Sequence, residues 1–289
     1  MLMKNHRRLF VRILLLASVI GGGLWLRSLQ SAKTTNGEQT WLPWPRTTMV
    51  TLYFSDGHFL FPVSRRMRTN IELPHAALQA LLNGPSAGDL KNPIPPDVQL
   101  RSFALEDGLA HVNLSAAPGD TAVTAIIETL TALRGVTSVE LSVGDQSLNT
   151  PAKRVPLLYF ASGKGLVAIP VKAVKPREAL EVYLSGPPSP ELTGLPPDVR
   201  LLAYDYNSAD RLLSLKFSYP SSVRALAMDR PDRMRTVLLG LIATLTEFPE
   251  VRAAQLDFGG QTRLGLGQCS DLLRTPQPRP ALLNDERLL

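Results

Sequence analysis

Ile94-Pro95-Pro96-Asp97-Val98 returns as Leu195-Pro196-Pro197-Asp198-Val199, and the surroundings of each copy return with it. Upstream, Leu52-Tyr53-Phe54 is matched by Leu158-Tyr159-Phe160, Phe61-Pro62-Val63 by Ile169-Pro170-Val171, and Asn83-Gly84-Pro85 by Ser185-Gly186-Pro187. Downstream, Thr129-Leu130-Thr131 is matched by Thr244-Leu245-Thr246, and Gly144-Asp145-Gln146 by Gly259-Gly260-Gln261. The order is the same throughout, and the offset stays between 101 and 115 residues. One short match arises by chance; six in register mean duplication. A period of roughly 105 residues is too long for a solenoid unit and has the size of a domain. The chain therefore divides into domain one at 48–149 and domain two at 154–262. The joint Asn149-Thr150-Pro151-Ala152-Lys153 is too short for free tumbling. Residues 263–289, rich in Gly, Pro and Gln, read as a flexible tail.

Each copy gives the same order of elements. Val50–Phe54 is a strand by its β-branched and aromatic content. Ser55-Asp56-Gly57 turns the chain so that Phe59–Val63 can pair back as a hairpin. Pro74 opens a helix carrying Ala76, Ala77, Leu78, Leu81 and Leu82, which Gly84 closes; Pro176 and Gly186 do the same in the second copy. After the Pro-Pro-Asp turn, Gln99–Leu105 and Leu109–Leu114 form a second hairpin around Glu106-Asp107-Gly108. A helix near Thr121–Leu133 follows, with a stripe of Val123, Ile126, Ile127, Leu130 and Leu133. Val139–Val143 is the last strand. The order ββ-α-ββ-α-β makes the fold class α+β: two similar domains, each an antiparallel or mixed sheet with helices on one face.

The chain has 289 residues, 44% hydrophobic and 19% charged, a globular composition. Its net charge of +6 is confined to the start. Residues 1–33 carry Lys4, Arg7, Arg8, Arg12, Arg27 and Lys33 and no acid, and the remainder holds 25 basic and 25 acidic residues. A nucleic-acid-binding domain needs a basic folded face, so that function class is set aside. Leu9 to Leu26 is apolar apart from Arg12, and as a helix spans ~27 Å at ~1.5 Å per residue, close to a hydrocarbon core. The cations before it place residues 1–8 as a cytoplasmic stub and 9–27 as a transmembrane signal-anchor. Residues 28–47 are then a linker, and both domains stand extracytoplasmic at the cell membrane. Ser31-Ala32 offers only Gln30 at the −3 position, so an uncleaved anchor is favoured over cleaved export.

The pattern resembles the GerMN domain family, present here as a tandem pair over about 48–262. It is carried by Leu52-Tyr53-Phe54, Phe61-Pro62-Val63 with Arg65, Leu81-Leu82-Asn83-Gly84-Pro85, Ile94-Pro95-Pro96, Asp107-Gly108 and Thr244-Leu245-Thr246-Glu247-Phe248. The second copy departs at Ala209-Asp210-Arg211, where the Asp-Gly turn is lost, and at Lys172-Ala173, where Ser64-Arg65 stand in the first. The resemblance implies a non-catalytic role outside the membrane in sporulation and spore germination, supporting assembly of an envelope-spanning complex. It implies domains similar in shape to ring-building modules of secretion systems. The implied partners are envelope or sporulation-complex proteins, with the membrane engaged through the N-terminal helix and self-association a further option.

Reactive groups are sparse. Cys269 is the single cysteine and has no histidine near it in sequence. His58, His75 and His111 lack ligand partners at metal spacing, apart from Asp56 near His58. Gly265-Leu266-Gly267 lacks the third glycine of a dinucleotide loop. Asp97 and Asp198 are equivalent turn residues in different domains. No catalytic, cofactor or metal residue is assigned. Two cationic groups, Arg65-Arg66-Arg68 and Arg224, Arg230, Arg233 and Arg235, read as solvated faces or as contacts for acidic lipid, wall polymer or a partner. The alternative function, a wall-glycan binding protein or envelope hydrolase, has its nearest candidates in Tyr204, Asp205 and Tyr206.

Overall fold

The structure is a computed structural model describing residues 47–68, 72–259 and 266–289. The stub, the signal-anchor and the linker up to residue 46 lie outside the described residues. Among the described residues no helix is long and apolar enough to cross a membrane.

In the first repeat, strands β1 (Thr47–Ser55) and β2 (Leu60–Arg68) form an antiparallel hairpin in which Phe54 faces Phe61. Asp56 Oδ1 holds its turn by accepting from the N–H groups of His58 and Phe59, both at 2.9 Å. Helix α1 (Leu73–Leu82) begins with Pro74 near its N-terminus, where a missing N–H costs nothing. Next come β3 (Leu100–Glu106), β4 (Leu109–Leu114), helix α2 (Asp120–Thr131), β5 (Ser138–Val143) and the two-residue strands β6 (Gln146–Ser147) and β7 (Ala152–Lys153). The second repeat runs β8 (Leu157–Ala161), β9 (Leu166–Pro170), α3 (Pro176–Leu184), β10 (Leu201–Asn207) and β11 (Leu212–Phe217). It then inserts an additional helix, α4 (Ser221–Asp229), before the long helix α5 (Pro231–Leu245) and strand β12 (Ala253–Phe258). A short helix α6 (Ser270–Arg274) and strand β13 (Gln277–Pro278) complete the elements discussed below.

The strands do not group as one sheet per repeat. The two first hairpins leave their own repeats and join in a shared four-stranded sheet, β1-β2-β9-β8. Each repeat keeps a mixed sheet of its own: β3-β4-β5 with β6 and β7, and β10-β11-β12-β13. In both, the first pair is antiparallel and the second parallel, because a helical crossover returns the chain in the same direction. The physical reason for the exchange is that a lone hairpin is marginal in water and gains stability by extending a sheet. Nearly the whole of Leu157–Ala161 is buried on both faces, as are Leu52, Tyr53 and Phe54, so these strands read as continuous apolar runs.

The outer strands of the shared sheet meet helices. The Tyr53 N–H donates to Thr129 Oγ1 at 3.3 Å, and the Tyr159 N–H to Thr244 Oγ1 at 2.9 Å. The duplicated Thr-Leu-Thr thus supplies acceptors for strand N–H groups that have no strand neighbour. Gly240 lets α5 approach β8, for a methyl group there would overlap the Tyr159 carbonyl.

Residues 266–289 correct the expectation of a flexible tail. Leu266, Cys269, Leu272, Leu273, Leu283 and Leu289 are buried. Asn284 fills the seam between β2 and β9, where only Leu60 and Ala168 pair directly. Its amide nitrogen donates to the carbonyls of Pro62 and Leu166, both at 2.9 Å, and its Oδ1 accepts from the Leu166 N–H at 2.8 Å. The Ser64 N–H donates to the Asn284 carbonyl at 3.1 Å. One side chain therefore does the work of missing ladder bonds.

Candidate functional site

The short strands β7 and β13 occupy equivalent places. β7 pairs with β5 through Ser138↔Lys153 and Val139↔Ala152, and β13 with β12 through Ala253↔Pro278 and Ala254↔Gln277. The next residue in each case is an arginine, Arg154 and Arg279, and both reach Glu247. Arg154 Nε donates to Glu247 Oε1 at 2.7 Å, with its NH2 on the same oxygen. Arg279 NH1 bonds Glu247 Oε2, its NH2 donates to Tyr159 Oη at 2.8 Å, and the Tyr159 hydroxyl donates to Glu247 Oε2 at 3.0 Å. The Glu247 side chain is 1% exposed. Burial lowers the pKa of Arg154 and of Arg279, and this is more than offset by neighbours, Glu247 chief among them for Arg154 and Tyr159 with Glu247 for Arg279, so both stay charged. Burial, with Glu247 adding to it, pushes the Tyr159 hydroxyl up to about 12.

Glu128 belongs to the same cluster and is treated differently. It is 3% exposed, and neither its Oε2 nor the Tyr53 hydroxyl finds a hydrogen-bond partner among the described residues. Burial raises its carboxyl to about 7; Arg154 pulls it down, and the nearby Glu247 charge pushes it up. The cluster joins residues from both repeats and from the tail, and it locks them rather than opening to a ligand. Sequence reasoning missed it. A faint signal exists: the Arg and the Leu-Leu of Arg154-Val155-Pro156-Leu157-Leu158 recur at the same spacing in Arg279-Pro280-Ala281-Leu282-Leu283. Each arginine follows a two-residue strand paired in the same way, β7 on β5 and β13 on β12.

The other residues singled out in the sequence are spread over the fold. His58 sits in the exposed β1–β2 turn, and the carboxylate of Asp56 is taken up by backbone N–H groups. His75 stacks on Phe103 with ring centroids 5.5 Å apart, and His111 Nδ1 lies 3.1 Å from Glu140 Oε2. Asp97 and Asp198 stand in equivalent turns closed by Val98 N–H to Pro95 O and Val199 N–H to Pro196 O. Asp198 also accepts from the Ser222 hydroxyl. Cys269 is buried, and burial raises its thiol to about 11, which disfavours the reactive thiolate. Gly267 begins a single short turn, whereas Gly265 lies outside the described residues. Among the described residues no group of three or more metal-capable side chains converges.

The cationic groups dissolve into separate pairings. Arg65 binds Glu286 of the tail, the carbonyls of Ala80 and Gly84, and the face of Phe54. Arg235 forms a two-pronged pair with Asp271, at 2.8 and 2.9 Å, pinning α6 to α5. Arg233 donates to the Ser162 carbonyl, and Arg224 lies over the Tyr219 ring. Arg66 and Arg68 remain exposed on β2.

The family model described as Germane, sporulation and spore germination, matches residues 51–149 and again 157–264. The chain belongs to the Germane family. The tandem GerMN domains of the sporulation protein GerM from Bacillus subtilis superimpose with a TM-score of 0.59 at 16% identity, covering 83% of this chain and 99% of that one. That likeness establishes the fold, two tandem GerMN-like domains of α+β class. A lipoprotein from Clostridium perfringens is 23% identical over 37% of this chain and 88% of its own, with a TM-score of 0.27. The first GerMN domain of the same GerM is 14% identical over 37% of this chain and 94% of its own, also at 0.27. No curated protein matches the chain.

Within this Germane chain the tyrosines of β10 do line a pocket. Tyr204 and Tyr206, with Lys175, Pro176, Arg177 and Glu250, enclose about 350 Å³ of largely apolar space. Arg177 lies over the Tyr204 ring at 5.5 Å, and the Tyr206 hydroxyl donates to the Glu250 carbonyl at 2.8 Å. Asp205 points elsewhere, into a shallow site with Lys216, Asp257 and Arg274 on the opposite face of the sheet. The expected trio is therefore split by strand alternation. Arg230 and Arg233 border a third hollow, of about 520 Å³, between the β8–β9 turn and the start of α5; Asp229 and Asp232 line it as well.

Proposed function

We propose that the protein is a non-catalytic assembly module, anchored in the cell membrane by residues 9–27, whose paired domains support an envelope complex of sporulation or germination. Membership of the Germane family supports the biological setting. The observation that carries the mechanical part is the fusion of the repeats: a shared sheet, a seam filled by Asn284 and a buried cluster centred on Glu247. Such a body presents its two outer sheets at a fixed mutual orientation, as a spacer or bracket must. Its partners on this reading are envelope or sporulation-complex proteins.

The test is deletion in a spore former, scored by engulfment, spore yield and recovery of the envelope complex from sporulating membranes. Loss of the complex with the chain's own mislocalised truncation (residues 28–289) is expected; normal spores with an intact complex would remove the role. A second reading, wall-glycan binding, is favoured by the Tyr204–Tyr206 pocket, since rigid aromatic faces stack on sugars. Saturable retention on sacculi that is lost in Tyr206→Ser would select it.

A further inference from the structure

Strand alternation splits the first cationic triplet. The register of the first hairpin sets Thr47 opposite Arg68, Met49 opposite Arg66 and Val50 opposite Arg65. Arg66 and Arg68 therefore share one face with Thr47 and Met49, and Arg65 belongs to the other. Arg65 is turned inward, onto Glu286 and the carbonyls of Ala80 and Gly84. Arg66 and Arg68 are exposed, and among the described residues neither takes part in an ion pair. Met49 beside them is 39% exposed. β2 pairs with β9 only near its other end, at Leu60↔Ala168, so the Arg66–Arg68 end runs on past the shorter partner hairpin.

The charge around this end is one-sided. Neither strand of the hairpin carries an acid. Domain one is otherwise acidic: residues 49–149 hold ten acids and six bases, and Arg65, Arg66 and Arg68 are three of the six. A negatively charged surface repels most of this domain and attracts one end of it, which selects an orientation as well as a contact. That end is also where the chain comes in. β1 begins at Thr47, cross-strand from Arg68, and only residues 28–46 separate it from the apolar stretch 9–27. Even at full stretch that many residues span no more than ~65 Å. All three tryptophans of the chain, Trp25, Trp41 and Trp44, stand before Thr47, with Arg46 beside it. Tryptophan concentrates at membrane–water interfaces.

We propose that the Arg66–Arg68 end of the first hairpin rests on the anionic phospholipid surface beside the anchor, with its two arginines on headgroup phosphates and Met49 against the apolar boundary. The contact rests on the anchored reading given above and adds to it a second attachment, which fixes how the domains stand on the membrane. An arginine close to an anionic surface shifts the contact equilibrium about fivefold, and the pair about twenty-five-fold. So weak an attraction does not hold a free protein. A tethered one meets the surface at an effective concentration in the ~mM range, where it suffices. The charges are exposed, so salt weakens the contact beyond a Debye length of about 8 Å.

The test places the full chain in lipid nanodiscs, either of phosphatidylcholine alone or of an equal mix with phosphatidylglycerol. Thr47→Cys carries an environment-sensitive fluorophore, and the buried Cys269 stays unlabelled. A second labelled chain, His58→Cys, marks the opposite end of the hairpin, about 30 Å away at ~3.3 Å per residue. The contact ratio read from quenching by brominated lipid is expected to rise about tenfold or more for the Thr47 probe when phosphatidylglycerol is present, and to stay unchanged for the His58 probe. Salt at about 0.5 M returns it to the neutral-disc level. Arg66→Glu combined with Arg68→Glu does the same, whereas Arg66→Lys combined with Arg68→Lys keeps most of the rise. Both double variants are first shown to keep the parent's Tm. A chain that enters neither disc removes the anchor and this contact together; a chain that enters both with equal quenching removes the contact and leaves the anchor. Quenching at Thr47 that survives the glutamate pair, or equal quenching at His58, also overturns the proposal.

Discussion

Each repeat buries a glutamate beside its outer strand, Glu128 inside α2 and Glu247 in the turn just past the end of α5, and the two are served differently. In the first, Glu128 directly precedes Thr129, the acceptor for β1; in the second, Glu247 follows Thr244, the acceptor for β8, by one helical turn. Glu247 meets two guanidinium groups and a tyrosine hydroxyl. Glu128 shares one of those cations at a distance and has an oxygen with no partner among the described residues. Both side chains are largely covered, so burial alone does not set the two sites apart. What differs is the number of cations in contact, and the fold delivers both Arg154 and Arg279 to Glu247.

Breaking the better-served site has the largest expected effect. Glu247→Gln removes the carboxylate shared by Arg154 and Arg279, leaving two half-buried cations whose charge solvent partly screens, and costs about 2–3 kcal/mol in denaturant unfolding. The less-served site gives the opposite sign. A raised carboxyl means that the folded chain holds a proton which the unfolded chain releases, so unfolding free energy falls as pH rises from 4.5 to about 7 and is flat beyond. Glu128→Gln abolishes that slope and above pH 7 is more stable than the parent by up to about 3 kcal/mol, read from unfolding curves at several pH values.

Smaller changes probe how the repeats are joined. Asn284→Ala strips the seam of three side-chain hydrogen bonds and leaves the carbonyls of Pro62 and Leu166 and the Leu166 N–H unserved, at about 2 kcal/mol. Hydrogen exchange is expected to rise first at the seam between β2 and β9. Thr244→Val and Thr129→Val remove the helix acceptors, each for about 1 kcal/mol. The Thr244 variant should lose more, its bond being the shorter, 2.9 against 3.3 Å. Equal losses would mean that the two helix–strand contacts are energetically the same in spite of their different neighbours.

Much of this was legible in the sequence because its signals are local. Pro74 and Pro176 mark helix starts, the alternation of Leu109–Leu114 marks a half-buried strand, and Pro-Pro-Asp marks the turn between them. Duplication added force, since each local reading was made twice. The pocket at Tyr204 and Tyr206 was half legible: the aromatic pair was seen, but Asp205 belongs to the other face, and Pro176 and Arg177 come from a helix far away in sequence. In the sequence Glu247 stands out only as part of the motif Thr244-Leu245-Thr246-Glu247-Phe248. Its partners lie 93 residues before it and 32 after, separations at which no spacing rule operates.

The amino-acid sequence alone determined that the chain is a doubled α+β unit and set the ββ-α-ββ-α-β order the repeats share, because turn chemistry and apolar periodicity act over a few residues; the inserted helix α4 and the tail elements lay outside it. Only the tertiary structure decided that the first hairpins desert their repeats for a common sheet, that the last residues are core rather than tail, and that two arginines converge on one glutamate. Those outcomes depend on which surfaces can bury each other once all are present, a competition settled by packing across the whole molecule.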